Sequence, residues 1–145
     1  MNNDILTKNL IADEGLRLKP YTDTVGKLTI GVGRNLNDEG ITAQEALYLL
    51  NNDIQRIEKE LAPLPNFSQL SETRQRVITE MAFNIGFEGV MEFKGMWKAI
   101  QDEDWDSAAN AMLDSLWARE VGQRAIRLAT TMRTGTDVMQ EPLNT

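Results

Sequence analysis

DILTKNLIADEGLRLKPYTDTVGKLTIGVG, residues 4–33, is the stretch that decides the fold, because its pattern changes from helical to strand-like. In residues 4–14 the apolar side chains lie on one stripe of a helix, with Asp4 suited to the N-cap and Gly15 to the position beyond the last turn. In residues 16–33 β-branched residues are frequent and glycines interrupt them. This second pattern predicts a small hairpin or meander that turns near residues 25–26.

Helical patterns fill the rest of the chain. Thr42 and Glu45 have the spacing of a capping box, and the apolar period behind them predicts a helix that continues to Pro63. Such a helix has roughly 20 residues and a length of about 30 Å. Further helices are expected at about residues 71–86, 90–93, 95–101, 104–113 and 122–133, with Ser71 as a cap, Gly86 as a stop and a loosely held tail from Thr134 on.

The order of these patterns predicts an α+β fold in a single domain over residues 1–145. A small N-terminal lobe with a short sheet, about 12–60, is joined by the long helix to a larger helical lobe, 61–137. The N-terminal helix precedes the first lobe, and residues 138–145 form a tail. We expect a ligand to bind in a cleft between the lobes.

The composition excludes several kinds of chemistry. The 145 residues include no Cys and no His, which excludes disulfides, thiolate nucleophiles, His general bases and the usual zinc motifs. We therefore expect no cofactor and no metal. The net charge of −7 weighs against nucleic acid as a partner. Because the sequence has no signal-peptide pattern and no long apolar run, we expect the protein to be made in the cytoplasm and to have no stable association with a membrane.

Three polar residues within residues 4–33 are candidates for catalysis. Glu14 falls in the last turn of its predicted helix, where the helix dipole disfavours a carboxylate by about 0.3–1 kcal/mol. That placement favours the protonated form that a general acid needs, although a solvated surface glutamate is the simpler explanation. Asp23 is either an Asx-turn residue or a second catalytic carboxylate. Thr29 either serves strand propensity or presents a hydroxyl to a water.

Two carboxylates across a cleft are the minimal apparatus for glycoside hydrolysis, a reaction that needs no His, Cys or metal.

Other sequence patterns give weaker evidence of a function. The Gly31-Val32-Gly33 sequence lacks the ending of a phosphate loop, and a calcium loop that starts at Asn35 would have Ala46 in place of its last glutamate. The three tryptophans are expected mainly in the core.

The motifs IADEGLRLK (11–19), YTDT (21–24) and LTIGVG (28–33) resemble the phage lysozymes, or endolysins, of glycoside hydrolase family 24. The Glu-x8-Asp-x5-Thr spacing of Glu14, Asp23 and Thr29 is similar to the catalytic arrangement of that family. A second stretch, 124–136, resembles the C-terminal helix of the family and its Arg-Thr-Gly-Thr ending. The resemblance covers residues 5–137, and its N-terminal stretch, 11–33, and C-terminal stretch, 124–136, follow in the same order as in the family.

The resemblance implies a lysozyme-like fold and a muramidase that hydrolyses the β-1,4 bond between N-acetylmuramic acid and N-acetylglucosamine in peptidoglycan. It implies Glu14 as the general acid, Asp23 as the base or electrostatic partner and Thr29 as the residue that helps to place the water. It also implies inversion at the anomeric carbon. The substrate contacts that it implies are Asn35, Phe83, Asn84 and Met96, and it places Arg124 close to Glu14 as a supporting residue.

The biological setting that follows from this resemblance is lysis of a bacterial host. We expect a monomer whose partner is the glycan strand of peptidoglycan, made in the host cytoplasm and released to the cell wall. Two other classes stay open: a non-catalytic wall-binding or structural module on the same frame, and a lytic transglycosylase, which also uses one glutamic acid.

Overall fold

A computed structural model describes residues 1–140 and divides the chain into two compact units. The first unit is Met1–Leu49, and the second begins at Leu50. Their boundary falls inside helix α2, Ala43–Leu61. The prediction of a single domain with lobes 12–60 and 61–137 stays a prediction. The described part of the chain contains no helix with the length and apolar character that a membrane crossing requires.

The first unit has one helix followed by a small antiparallel sheet, and both were predicted. Helix α1 is Asp4–Glu14, and the strands are β1 (Arg17–Thr22), β2 (Leu28–Gly31) and β3 (Arg34–Asn35) in the order β1-β2-β3. The predicted turn near residues 25–26 is confirmed. The α+β fold class is therefore confirmed, with the strands confined to the N-terminal part of the chain.

Helix α1 has the predicted bounds but not the predicted cap. Asn3 occupies the N-cap position and makes no side-chain capping bond, while Asp4 lies in the first turn. An acidic residue in the first turn interacts favourably with the positive end of the helix dipole. At the other end Gly15 has a φ of 77°, and its N–H donates to the Ile11 carbonyl at 2.8 Å. The last helical residue is Glu14.

The sheet is short, and its middle strand carries the one residue of the first unit that is buried. Thr29 in β2 is 3% exposed and faces Tyr21 of β1 and Asn35 of β3 in the register. Pro20 lies in the edge strand β1, where its missing N–H is tolerated, close to an irregularity in the β1–β2 register. The sheet therefore owes little to buried apolar side chains.

The predicted capping box at the start of α2 is confirmed. The Thr42 Oγ1 accepts from the Glu45 N–H at 3.1 Å, and the Glu45 carboxylate accepts from the Thr42 N–H at 2.9 Å. These reciprocal bonds satisfy N–H groups that have no partner within a helix.

The second unit is helical and contains the core. Its helices are α3 (Pro65–Ser68), α4 (Glu72–Met91), α5 (Lys94–Gln101), α6 (Trp105–Leu113), α7 (Leu116–Val121) and α8 (Gln123–Thr134). The largest fully buried side chains are those of Leu61, Ile78, Met81, Met96, Met112, Leu128, Met132, Val77 and Val90. Methionine is unbranched and flexible, so it fills irregular gaps between short helices. Trp97 and Trp117 are buried as predicted, and Trp105 packs against this core.

The predicted stop at Gly86 is confirmed, because its φ of 84° and ψ of 162° are not helical and a kink there separates two helices within Glu72–Met91. Three other local features differ from the prediction. The short helices α3 and α7 were not predicted, because four and six residues are too few to show a period. The chain after α8 is not loose at its start: Arg76 pairs with Asp137 at 2.5 Å. Of the predicted tail 138–145, residues 141–145 lie outside the described part of the chain.

Candidate active site

Glu14 ends α1, and its carboxylate lies against the backbone of Gly33. A Cβ built on Gly33 would stand 3.0 Å from Glu14 Oε2 and 3.4 Å from Glu14 Cδ. Gly33 also has a φ of 69°, in the left-handed region that disfavours residues with a Cβ. Glycine at position 33 therefore allows the carboxylate to approach the turn between β2 and β3. Within residues 1–49, no side-chain hydrogen bond or ion pair engages Glu14.

Asp23 follows β1 directly, and one oxygen of its carboxylate is held by the backbone. Oδ1 accepts from the N–H groups of Val25 at 3.0 Å and Lys27 at 2.8 Å. The bond to Val25 is the Asx-turn contact that the sequence allowed, so the structural interpretation of Asp23 is confirmed. It does not exclude a catalytic one. Oδ2 has no hydrogen-bond partner in the part of the chain that the structure describes, and it is the oxygen available to a ligand or water.

Thr29 presents a hydroxyl with a fixed direction. Its Oγ1 donates to the Lys27 carbonyl at 3.0 Å, which satisfies a buried polar group. Since a threonine hydroxyl has one proton and two lone pairs, the lone pairs remain to accept a hydrogen bond from a neighbouring donor. A water is such a donor.

The backbone of one residue, Lys27, links these two candidates. The Lys27 carbonyl accepts both from Thr29 Oγ1 and from the Asp23 N–H, at 3.0 and 2.8 Å. The Lys27 N–H in turn donates to Asp23 Oδ1. The sequence did not reveal this role of Lys27, because the contacts are made by its backbone and any residue type except proline could make them.

Arg34 and Glu45 form the shorter of the two ion pairs within residues 1–49. Arg34 Nη1 donates to Glu45 Oε1 at 2.8 Å and to the Gly40 carbonyl at 3.1 Å. The bond from Arg34, together with the capping bond from the Thr42 N–H, lowers the pKa of Glu45 to about 2. The same hydrogen bond raises the pKa of Arg34. Sequence reasoning missed this pair, whose members are both half-exposed and eleven residues apart.

The residues that the resemblance assigned to substrate binding fall in different settings. The Asn35 amide bonds to Asp38 through both of its ends, to the carboxylate at 2.9 Å and to the N–H at 3.0 Å, so a substrate contact would compete with these bonds. Phe83 is 46% exposed. The Asn84 Oδ1 accepts from Trp117 Nε1 at 2.7 Å, which leaves its NH₂ group for other contacts.

Met96 and Arg124 have structural contacts in the second unit. Met96 is fully buried, and a fully buried side chain cannot touch a glycan strand, so it is left out of the proposed substrate contacts. Arg124 Nε donates to Glu80 Oε2 at 3.0 Å, and Arg127 bonds to the same oxygen. Residues 1–140 contain no group of three or more acidic side chains placed to hold a metal ion.

The comparison with protein families agrees with the motifs that form this site. The sequence profile of phage lysozymes matches residues 12–133, which include Glu14, Asp23 and Thr29. The chain belongs to the phage lysozyme family. This membership supports a peptidoglycan-lytic role, as the lysozyme and endolysin relatives of the chain also do.

Three curated relatives illustrate the range of the family. The chain is similar to the pre-baseplate central spike protein of Enterobacteria phage T4, at 30% identity over 92% of this chain and 28% of that protein. It is 29% identical to a probable T4-type lysozyme of Dictyostelium discoideum, over 86% of this chain and 91% of the relative. It is 30% identical to the endolysin of Salmonella phage P22, over 74% of this chain and 76% of that endolysin. The chain thus spans less than a third of the spike protein but most of the other two.

Proposed function

We propose that this chain is a muramidase that hydrolyses the β-1,4 bond between N-acetylmuramic acid and N-acetylglucosamine in bacterial peptidoglycan. The observation that carries the proposal is the set of Glu14 at the end of α1, Asp23 directly after β1 and Thr29 in β2, within the range that matches the phage lysozyme family. Asp23 Oδ2 and the Glu14 carboxylate make no hydrogen bond within residues 1–49, and Thr29 Oγ1 donates its proton but keeps its lone pairs to accept, as the roles below require.

In this mechanism Glu14 is the general acid. Its carboxyl proton goes to the glycosidic oxygen as the bond to the anomeric carbon breaks, and the leaving sugar departs with a new hydroxyl. Asp23 Oδ2 takes a proton from the attacking water, while Oδ1 stays bound to two N–H groups and keeps the carboxylate in place. The oxygen of the water bonds to the anomeric carbon and gives a reducing end.

Thr29 orients the water. Because its hydroxyl proton is engaged by the Lys27 carbonyl, a lone pair of Thr29 Oγ1 accepts a hydrogen bond from the water. The shared contacts of Lys27 keep this hydroxyl and Asp23 in a constant arrangement. A direct attack of this water gives inversion, which proton NMR of the first product anomer tests.

The decisive experiment is digestion of purified sacculi, with mass spectrometry of the products. The parent is compared with Glu14→Gln, which removes the acid proton and keeps the shape, and with Asp13→Asn as a control for loss of one negative charge at the same helix end. We expect reducing muropeptides from the parent and from Asp13→Asn, and a loss of at least 10²-fold in Glu14→Gln.

Other outcomes identify the alternative classes. Anhydro-muropeptides from the parent would make the protein a lytic transglycosylase. Binding to sacculi without any product would make it a wall-binding module. Equal rates for the parent and Glu14→Gln would remove Glu14 from the mechanism.

We further propose that the protein acts in lysis of a bacterial host, as a monomer that is made in the host cytoplasm and reaches the wall after release. The endolysin relative supports this setting. Expression in a host together with a membrane-permeabilising protein tests it: we expect lysis with the parent and none with Glu14→Gln.

A further inference from the structure

The segment from Gly33 to Asn35 touches two of the three proposed catalytic residues. The backbone of Gly33 lies against the Glu14 carboxylate, and Asn35 faces Thr29 in the register of the sheet. Arg34 is the residue between these two contacts. A displacement of this segment would therefore change the position of the acid relative to the hydroxyl that orients the water.

The backbone alone holds this segment weakly. Strand β3 has two residues, and it meets β2 in two register pairs, with one more backbone bond from the Leu36 N–H to the Leu28 carbonyl. A short edge strand without a buried apolar side chain is marginal in water. Some other contact has to fix it.

The Arg34 side chain supplies one such contact, beside that of Asn37, whose Oδ1 accepts from the Leu28 N–H at 2.6 Å. Arg34 Nη1 bonds to the Gly40 carbonyl and to Glu45 Oε1, and Glu45 is itself fixed by the capping box with Thr42. The guanidinium thus ties β3 to the loop after it and to the first turn of α2. We infer that Arg34 is a positioning residue, which holds Gly33 against the Glu14 carboxylate through its bonds to Gly40 and Glu45. This inference rests on the proposed function.

A purely stabilising role gives a different expectation. The Arg34–Glu45 pair has side chains that are 39% and 41% exposed, and exposed ion pairs contribute little to the free energy of unfolding. The buried core of the chain lies in the second unit. Loss of the pair should therefore affect catalysis more than global unfolding.

The test measures kcat and KM on sacculi for Arg34→Met, which keeps an unbranched stem and removes the donors. The matched control is Arg56→Met, because the Arg56–Asp53 pair on α2 has the same N···O distance of 2.8 Å and touches no proposed catalytic residue. We expect kcat to fall about tenfold in Arg34→Met with KM changed less than twofold, since a misplaced acid slows the chemical step. Arg56→Met should keep both values.

Two further variants keep the inference testable if Arg34→Met folds poorly. Arg34→Lys restores the charge and one donor, and it should recover part of the lost kcat. Glu45→Gln keeps an acceptor for the Thr42 N–H but weakens the bond to Arg34, and it should lower kcat with only a small loss in the free energy of unfolding at neutral pH. Faster hydrogen exchange at the Leu36 amide in Arg34→Met would report the loosened strand directly.

The outcomes separate the inference from the function on which it rests. If Glu14→Gln is inactive, the parent is active and Arg34→Met equals Arg56→Met, the positioning role is overturned and the muramidase stands. A KM effect without a kcat effect also overturns it. If the parent releases no reducing ends, the proposed function itself fails.

Discussion

Replacement of Gly33 by alanine tests the contact between the turn and the Glu14 carboxylate. The new Cβ would lie 3.0 Å from Glu14 Oε2, so the carboxylate must move by a few tenths of an ångström. If a 1 Å displacement of a catalytic group costs about 10² in rate, a shift of this size costs roughly fivefold in kcat. The left-handed φ of 69° adds a backbone strain of about 1–2 kcal/mol, which lowers the free energy of unfolding.

Gly31→Ala is the matched control for this substitution. Gly31 has a φ of 71°, so alanine there meets similar backbone strain, but its Cβ would find no atom within 4 Å. We expect both variants to lose similar stability in urea unfolding, and only Gly33→Ala to lose kcat. The assay is the initial rate of reducing-end release from sacculi, at a temperature where both variants are fully folded. Equal rates for the two variants would refute the argument from the Gly33–Glu14 contact.

Three other predictions concern the base, the pH dependence and the second unit. Asp23→Asn keeps the acceptor for two N–H groups, so we expect a folded protein whose kcat on sacculi is about 10²–10⁴-fold lower; a smaller loss would argue against a base at this position. The hydrogen bond from Arg34 lowers the pKa of Glu45 to about 2. The ionised Glu45 therefore stabilises the fold at pH values above the ordinary pKa of a glutamate, and this stabilisation is lost as the pH falls through 2. Unfolding followed from pH 5 to pH 2 should therefore show a shallower loss of stability in Glu45→Gln than in the parent, and identical slopes would contradict the assignment. Arg74 donates to the carbonyls at the end of α8 and stacks over Trp105. Arg74→Met should therefore lower the free energy of unfolding, measured in urea, by about 2–4 kcal/mol, while the rate of reducing-end release at 25 °C stays unchanged. A change below 0.5 kcal/mol would show that water replaces these contacts.

Local signals in the sequence predicted the features that depend on near neighbours. The bounds of α1 and the capping box at Thr42 follow from residues three or four positions apart, whose interactions exist in almost any tertiary setting. The turn near residues 25–26 is also local, since Asp23 closes it through its own side chain. These are the parts of the site that could be found before the structure.

Other parts of the site depend on contacts that a sequence pattern does not encode. The Arg34–Glu45 pair forms because the loop between β3 and α2 returns to the sheet, and neither residue type at either position requires it. The burial of Met96 was missed because methionine suits a cleft wall and a core equally well.

The position of Glu14 as the last residue of α1 also bears on how the protein responds to heat. Helix ends fray at temperatures well below the global transition, because the final turn lacks hydrogen-bond partners on one side. Here the bond from the Gly15 N–H to the Ile11 carbonyl closes that turn. Once it opens, the acid loses its fixed orientation while the methionine-rich core of the second unit is still intact. Thermal inactivation and thermal denaturation would then be separate events, governed by a single turn of helix in one case and by the buried core in the other.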